Sequence, residues 1–159
     1  MRQPSQTARL PKFTVVLCMP FLLALSVSVQ AQDFPQNEAV FHGLSYHSKD
    51  RPNGKDWNHT NWGLAWRHVP SESLSWQLGA YRDSMFRTAT YGLLDYTPFQ
   101  GLGLQAGGFS GVRASKHKTE FIGGAAARYQ ANRYSITARL GPAQKSGGFV
   151  FAIEAGYRF

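Results

Sequence analysis

The chain has 159 residues and a net charge of +8, from 17 Lys and Arg against 9 Asp and Glu, and it holds a single cysteine. That length is one domain's worth of chain. Lone Cys18 excludes an intramolecular disulfide framework and a thiolate metal site, and no His, Asp or Glu spacing marks a metal or cofactor centre, so none is expected.

Residues 1–31 stand apart. Arg2, Arg9 and Lys12 form a basic stretch, an apolar run follows from Phe13 to Val29, and Val29-Gln30-Ala31 puts small or β-branched residues at the positions a signal peptidase inspects. The pattern predicts a secretory signal peptide cleaved after Ala31 rather than a retained anchor, since the run is short and broken by Pro20. Leu17 precedes Cys18 where a lipoprotein signal needs a small residue. Seventeen basic residues less these three leave 14 against 9 acidic ones in 32–159, a net +5. For an exported chain, anionic lipid or lipopolysaccharide is the expected partner, not nucleic acid.

No segment beyond Ala31 is apolar for long enough to be a transmembrane helix. Segments of roughly ten residues with alternating character follow one another instead, the signature of a membrane β-barrel. Eight strands are predicted, at 39–48, 60–69, 74–84, 88–97, 102–112, 119–129, 134–142 and 147–159. The fold class is therefore all-β: an eight-stranded antiparallel transmembrane β-barrel over 32–159, expected as a monomer in the bacterial outer membrane.

Taken in order, the first strand ends on His47. The second and third turn Gly63, Ala65 and Arg67, then Gln77, Gly79, Tyr81 and Asp83, to one face, with Trp62, Trp66 and Trp76 on the other. The fourth carries Tyr91-Gly92. The fifth and sixth turn Gln105, Gly107 and Phe109, then Ile122, Gly124 and Arg128, inward. The seventh sets Tyr134, Ile136, Ala138 and Leu140 outward against Ser135, Thr137 and Arg139. The eighth is clearest: Phe149, Phe151, Ile153, Ala155, Tyr157 and Phe159 on the lipid face, Val150, Ala152, Glu154, Gly156 and Arg158 on the lumen face. A lipocalin-like soluble barrel would reverse this pattern. Trp62, Trp66, Trp76, Tyr129 and Tyr134 gather near strand ends, where aromatic rings favour the membrane interface.

With the N-terminus in the periplasm, 49–59, 85–87, 113–118 and 143–146 become outer loops, and 70–73, 98–101 and 130–133 periplasmic turns. Lys116 and Lys118 then lie at the height of lipopolysaccharide phosphates, as binding groups or as a merely soluble loop. The outer half of the lumen receives small or apolar residues and the inner half Arg67, Gln77, Gln105, Arg128, Glu154 and Arg158, with Arg139 at middle height. This reads equally as an acyl-sized space above a polar plug or as ordinary small-against-large packing. His42, His59, His68 and His117 read as surface residues.

His47, Asp83 and Ser84 reach the same outer rim. A histidine beside a carboxylate can act as general base, and a serine as nucleophile or as a group that holds substrate. Strand parity aims Ser84 toward lipid unless the chain has begun its loop there. Polar strand ends without chemistry are the plainer alternative.

Tyr46-His47, the polar loop that follows, and Asn61-Trp62-Gly63-Leu64 together resemble the first hairpin of the lipid A palmitoyltransferase (PagP) family. Gly79-Ala-Tyr-Arg-Asp-Ser84 resembles its third strand with the active-site Asp-Ser, and Leu102-Gly-Leu-Gln-Ala-Gly107 its fifth. Leu140-Gly-Pro142, Phe151-Ala and the final Arg-Phe resemble its last hairpin. The resemblance implies an enzyme that moves a palmitoyl chain from a phospholipid donor to lipid A as acceptor, with His47, Asp83 and Ser84 catalytic. It implies an acyl pocket at Gly79, Tyr81, Gly92, Gly107 and Phe109, with Gly92 at its floor. Two features depart from the family: residues 32–38 are too few for its N-terminal amphipathic helix, and the sixth strand lacks the proline that helps open a lateral gate, although Pro142 in the seventh is present. An acyl hydrolase using the same rim, or a non-enzymatic envelope or adhesion barrel, are the competing expectations.

Overall fold

The computed structural model describes residues 33–49, 56–116, 118–143 and 147–159. The predicted signal peptide, His117 and most of the first outer loop lie outside them. Eight strands run β1 (Gln36–His47), β2 (Thr60–Ser71), β3 (Leu74–Arg82), β4 (Thr88–Gly101), β5 (Leu104–Ser115), β6 (Lys118–Ala131), β7 (Tyr134–Ala143) and β8 (Gly148–Arg158). Each is antiparallel to its neighbours, and β1 pairs with β8 to close the barrel.

Alternation of side chains explains why these residues form a barrel that is apolar outside. Along β8, Phe149, Phe151 and Ile153 face out while Glu154 and Gly156 are buried. The same holds around the wall: Phe41, Leu64, Leu78, Phe121, Ile136 and Leu140 are exposed, while Glu38, Arg67, Gln77, Arg128, Arg139 and Glu154 are buried. In water such an exterior would oppose the hydrophobic effect on nearly every strand. Rings cluster toward the end with the short turns, where Trp66 and Trp76 meet edge to face at 4.8 Å and Tyr134 lies 5.5 Å from Tyr157.

That lower end has two-residue connections at 72–73, 102–103 and 132–133; the longer loops stand at the upper end. β4 continues to Gly101 and hands over to a Leu102-Gly103 turn, both at positive φ as tight hairpins require. The predicted basic loop 113–118 is mostly strand. β5 runs to Ser115 and β6 starts at Lys118; Arg113 and Lys118 are both ion-paired to Glu120, so of the two lysines only Lys116 stays in the turn.

Two irregularities shape the upper half. β1 has a register shift between His42 and Leu44 on both its sides. The extra residue reverses the alternation, so Glu38, Val40 and His42 turn inward below it and Ser45 and His47 above it. The second lies between β6 and β7. Their pairing stops at Ala125↔Leu140, so among the described residues Lys118–Gly124 and Gly141–Ala143 form no ladder with each other. Pro142 has no N–H to offer. Gly124, expected in the lumen, sits in the wall at this point, where an added Cβ would collide with the backbone of Leu140 and Gly141.

The lower lumen is filled by charge. The Arg67 guanidinium donates to Gln77 Oε1 (2.9 Å), Glu38 Oε2 (3.1 Å), Thr137 Oγ1 (3.3 Å) and Glu154 Oε2 (2.9 Å). Arg128 pairs with Glu38, and Arg139 with Asp95 and Glu154. Gln105, expected in this plug, instead reaches the lower rim and donates to the Glu72 carbonyl at 3.3 Å. Buried pairs of this kind add little net stability over apolar packing, but losing one partner strands the other's charge. They close the lower half and leave the upper half hollow.

Candidate active site at the upper mouth of the barrel

Above the plug is a cavity of about 220 Å³, walled by Leu93, Phe109, Ile122, Val150 and Ala152 and reaching down to Tyr91 and His42. Tyr91 takes the inward parity of β4 with Ala89, Leu93 and Asp95. Its hydroxyl receives a hydrogen bond from Gln77 Nε2 (2.5 Å) and pairs with His42 Nε2, whose Nδ1 lies 3.5 Å from Glu154. This polar floor corrects the expected acyl-pocket glycines. Gly92, one residue on from Tyr91, faces outward, where an added Cβ would meet exposed Leu78. Gly79 does face in, but the Tyr91 hydroxyl fills the space before it, 2.7 Å from where a Cβ would stand. Gly107 is pressed against the backbone of Tyr96 and Thr97, where the β4–β5 register slips. Tyr81 and Phe109 do line the cavity.

His47, Asp83 and Ser84 also line it, at its mouth. β3 ends at Arg82, so Ser84 has left the strand and swings inward. His47 Nε2 and Ser84 Oγ lie 2.7 Å apart. The chain has begun its loop at Ser84, the condition under which the side chain was expected to turn inward and not toward lipid.

Asp83 does not serve the histidine. Its Oδ1 accepts the Met85 and Arg87 amides, each at 2.8 Å, and its Oδ2 lies 3.6 Å from Arg87 Nε. It is buried as the cap of its own turn, which is what holds Ser84 in place. His47 Nδ1 is buried with no hydrogen-bond partner among the described residues. The imidazole lies instead against the Trp57 indole, with centroids 4.1 Å apart and planes within 7°.

Sequence reasoning missed four participants. His42 was assigned to the surface because the β1 irregularity is invisible to simple alternation. Trp57 lies in a segment without periodicity. Asn61 fastens the rim, accepting from Ser45 Oγ (2.5 Å) and donating to the Arg82 carbonyl (2.9 Å). Arg113, taken for a loop residue, lines the mouth and donates to Tyr81 Oη at 3.4 Å. His59 and His68 are at the rim and in the lower aromatic cluster, as expected: His59 meets the Ser45 carbonyl at 3.0 Å and His68 packs 5.3 Å from Trp76.

The chain matches no family model and no curated protein. Among solved structures it is similar to a chain from the de novo design of transmembrane β-barrels, with a TM-score of 0.55 and 13% identity, covering 81% of this chain and 100% of that one. At that identity the likeness is one of fold.

Proposed function

We propose that the chain is an outer-membrane acyltransferase that moves a long acyl chain, palmitoyl in the reading the sequence resemblance suggests, from a phospholipid to lipid A. The observation that carries this is the His47–Ser84 contact of 2.7 Å at the mouth of an apolar cavity. An exterior of Phe, Leu, Ile and Trp belongs in hydrocarbon. A donor chain can leave the outer leaflet through the unladdered seam between β6 and β7, whose inner side, Gly123, Gly141, Pro142 and Ala143, is cavity wall. β6 has no proline, and Gly123-Gly124 takes that role in this reading.

In this reading Ser84 Oγ attacks the ester carbonyl while its proton passes to His47 Nε2. The carbonyl re-forms as the C–O bond to the lysophospholipid breaks, and that alkoxide takes the proton from His47. A lipid A hydroxyl then attacks the acyl-serine, giving its proton to His47, which returns it to the departing Ser84 oxygen. Asp83 fixes the turn, and Tyr91 closes the acyl well from below, in place of Gly92.

The test is to incubate refolded protein with acyl-labelled phospholipid and lipid A and follow the label. Transfer to lipid A supports the proposal. Label in free fatty acid assigns the same rim to hydrolysis, and label left in the phospholipid leaves a non-enzymatic barrel. A stalled turnover should yield protein heavier by one acyl group on Ser84.

A further inference from the structure

We propose that Trp57 is a positioning residue for His47, holding the imidazole plane and stabilising its protonated form with an indole face where a triad would use a carboxylate. The proposal rests on the reading of His47 as general base and adds to it the group that makes that base competent.

For Nε2 to accept the Ser84 proton, the neutral ring must carry its hydrogen on Nδ1. In a serine triad a carboxylate accepts that hydrogen, fixes the tautomer and balances the imidazolium that forms. Here Nδ1 has no acceptor among the described residues, and Asp83, the carboxylate of the rim, is committed to the amides of its own turn. What does meet the ring is Trp57, stacked face to face at 4.1 Å.

The indole is itself held. Its Nε1–H donates to the Lys49 carbonyl at 2.8 Å. The next residue, Asn58, ties the segment to the Ser84 turn, its backbone N–H donating to the Ser84 carbonyl (2.9 Å) and its Nδ2 to the Asp83 carbonyl (3.2 Å). Base, nucleophile and stacking ring are thereby fastened into one rigid unit drawn from β1, the first outer loop and the β3–β4 turn. A cation over an indole face is favoured by the ring's quadrupole, more so when water is excluded. The imidazolium forms only during the reaction, so the stack favours the transition state over the resting site. Among the described residues, His59 and Arg113 are the charged or titratable groups that act on the ring, with Asp83 and Arg87 in the adjoining turn and Glu120 paired to Arg113 on the cavity wall; none of them hydrogen-bonds to Nδ1.

Trp57→Leu and Trp57→Phe proteins, refolded and shown by gel mobility to be closed barrels, test this in two ways. With labelled phospholipid and lipid A, Trp57→Leu should lose about tenfold in kcat with KM unchanged, and Trp57→Phe should recover most of it. Without any substrate, NMR titration of labelled histidine, with His47 assigned through His47→Gln, should show its midpoint lowered in Trp57→Leu by about one unit, the same tenfold in proton affinity. A folded Trp57→Leu barrel with an unmoved midpoint overturns the proposal, as does one with full kcat. Because the titration needs no turnover, a wild-type barrel that transfers no acyl group would overturn the acyltransferase reading alone, and the midpoint would still decide the role of Trp57.

Discussion

On the proposed reading, the 2.7 Å contact between Ser84 Oγ and His47 Nε2 is what separates a reactive rim from a merely polar one. His47→Ala and Ser84→Ala should each cut acyl transfer by roughly a hundredfold to ten-thousandfold while the barrel still closes, since neither side chain belongs to the plug. Asp83 is expected to behave differently from a triad carboxylate. Asp83→Asn keeps an oxygen for the Met85 and Arg87 amides and should keep most of the activity. Asp83→Ala leaves those half-buried donors without their acceptor, at up to about 1–3 kcal/mol, and should release the Ser84 turn. Comparing the two variants by turnover and by melting separates a turn cap from a charge-balancing group. Tyr91→Ala should deepen the well and shift acyl preference to longer chains, readable by mass spectrometry of the product, whereas Gly92→Met should leave preference unaltered. That His47, Asp83 and Ser84 meet at one rim was legible because strand ends and direction place them together, while the engagement of Asp83 with its own turn was not. The floor was not, because the adjacent residues Tyr91 and Gly92 point to opposite faces and only the actual phase of β4 decides which is inside.

At the level of the strands, period-two alternation and turn residues were enough to place all eight, with ends a few residues off where β1 starts before its pattern, β5 starts after it, and β4, β5 and β6 outlast it. The irregularity in β1 was not legible. His42 and His47 are five residues apart, an odd spacing that a regular strand would split between faces, yet both enter the lumen. Nothing in composition marks the extra residue except Gly43, and a glycine alone is weak evidence for a bulge. Gly43 deletion restores simple alternation with both histidines still inward, so that variant should fold and retain the His47–Ser84 contact. The β6–β7 seam makes its own prediction. Amides between Lys118 and Gly124 that point toward β7 should exchange with deuterated solvent well before those of the same strand that point toward β5, because only the latter sit in a ladder. Uniform protection across β6 would mean that the seam is shut and is no route for lipid.

The whole molecule joins an apolar coat to a charged core, and the two fail in different ways. Removing one carboxylate from the plug, as in Glu154→Leu, takes a partner from both Arg67 and Arg139 at once, leaving them only Glu38 and Asp95, and should cost up to about 3–5 kcal/mol. The temperature at which the fast-migrating unboiled form gives way to the unfolded one should fall accordingly, with the strand-dominated circular dichroism unchanged below it. The plug also has an electrical meaning. Four arginines, Arg67, Arg128, Arg139 and Arg158, face three carboxylates, Glu38, Asp95 and Glu154, across the lower lumen. A hollow wall closed by that lattice is an insulator: reconstituted in a planar bilayer, the protein should show no current steps at all. Because the lattice carries one positive charge in excess, whatever ionic leak a loosened variant allows should prefer anions, so chloride rather than potassium would set its reversal potential.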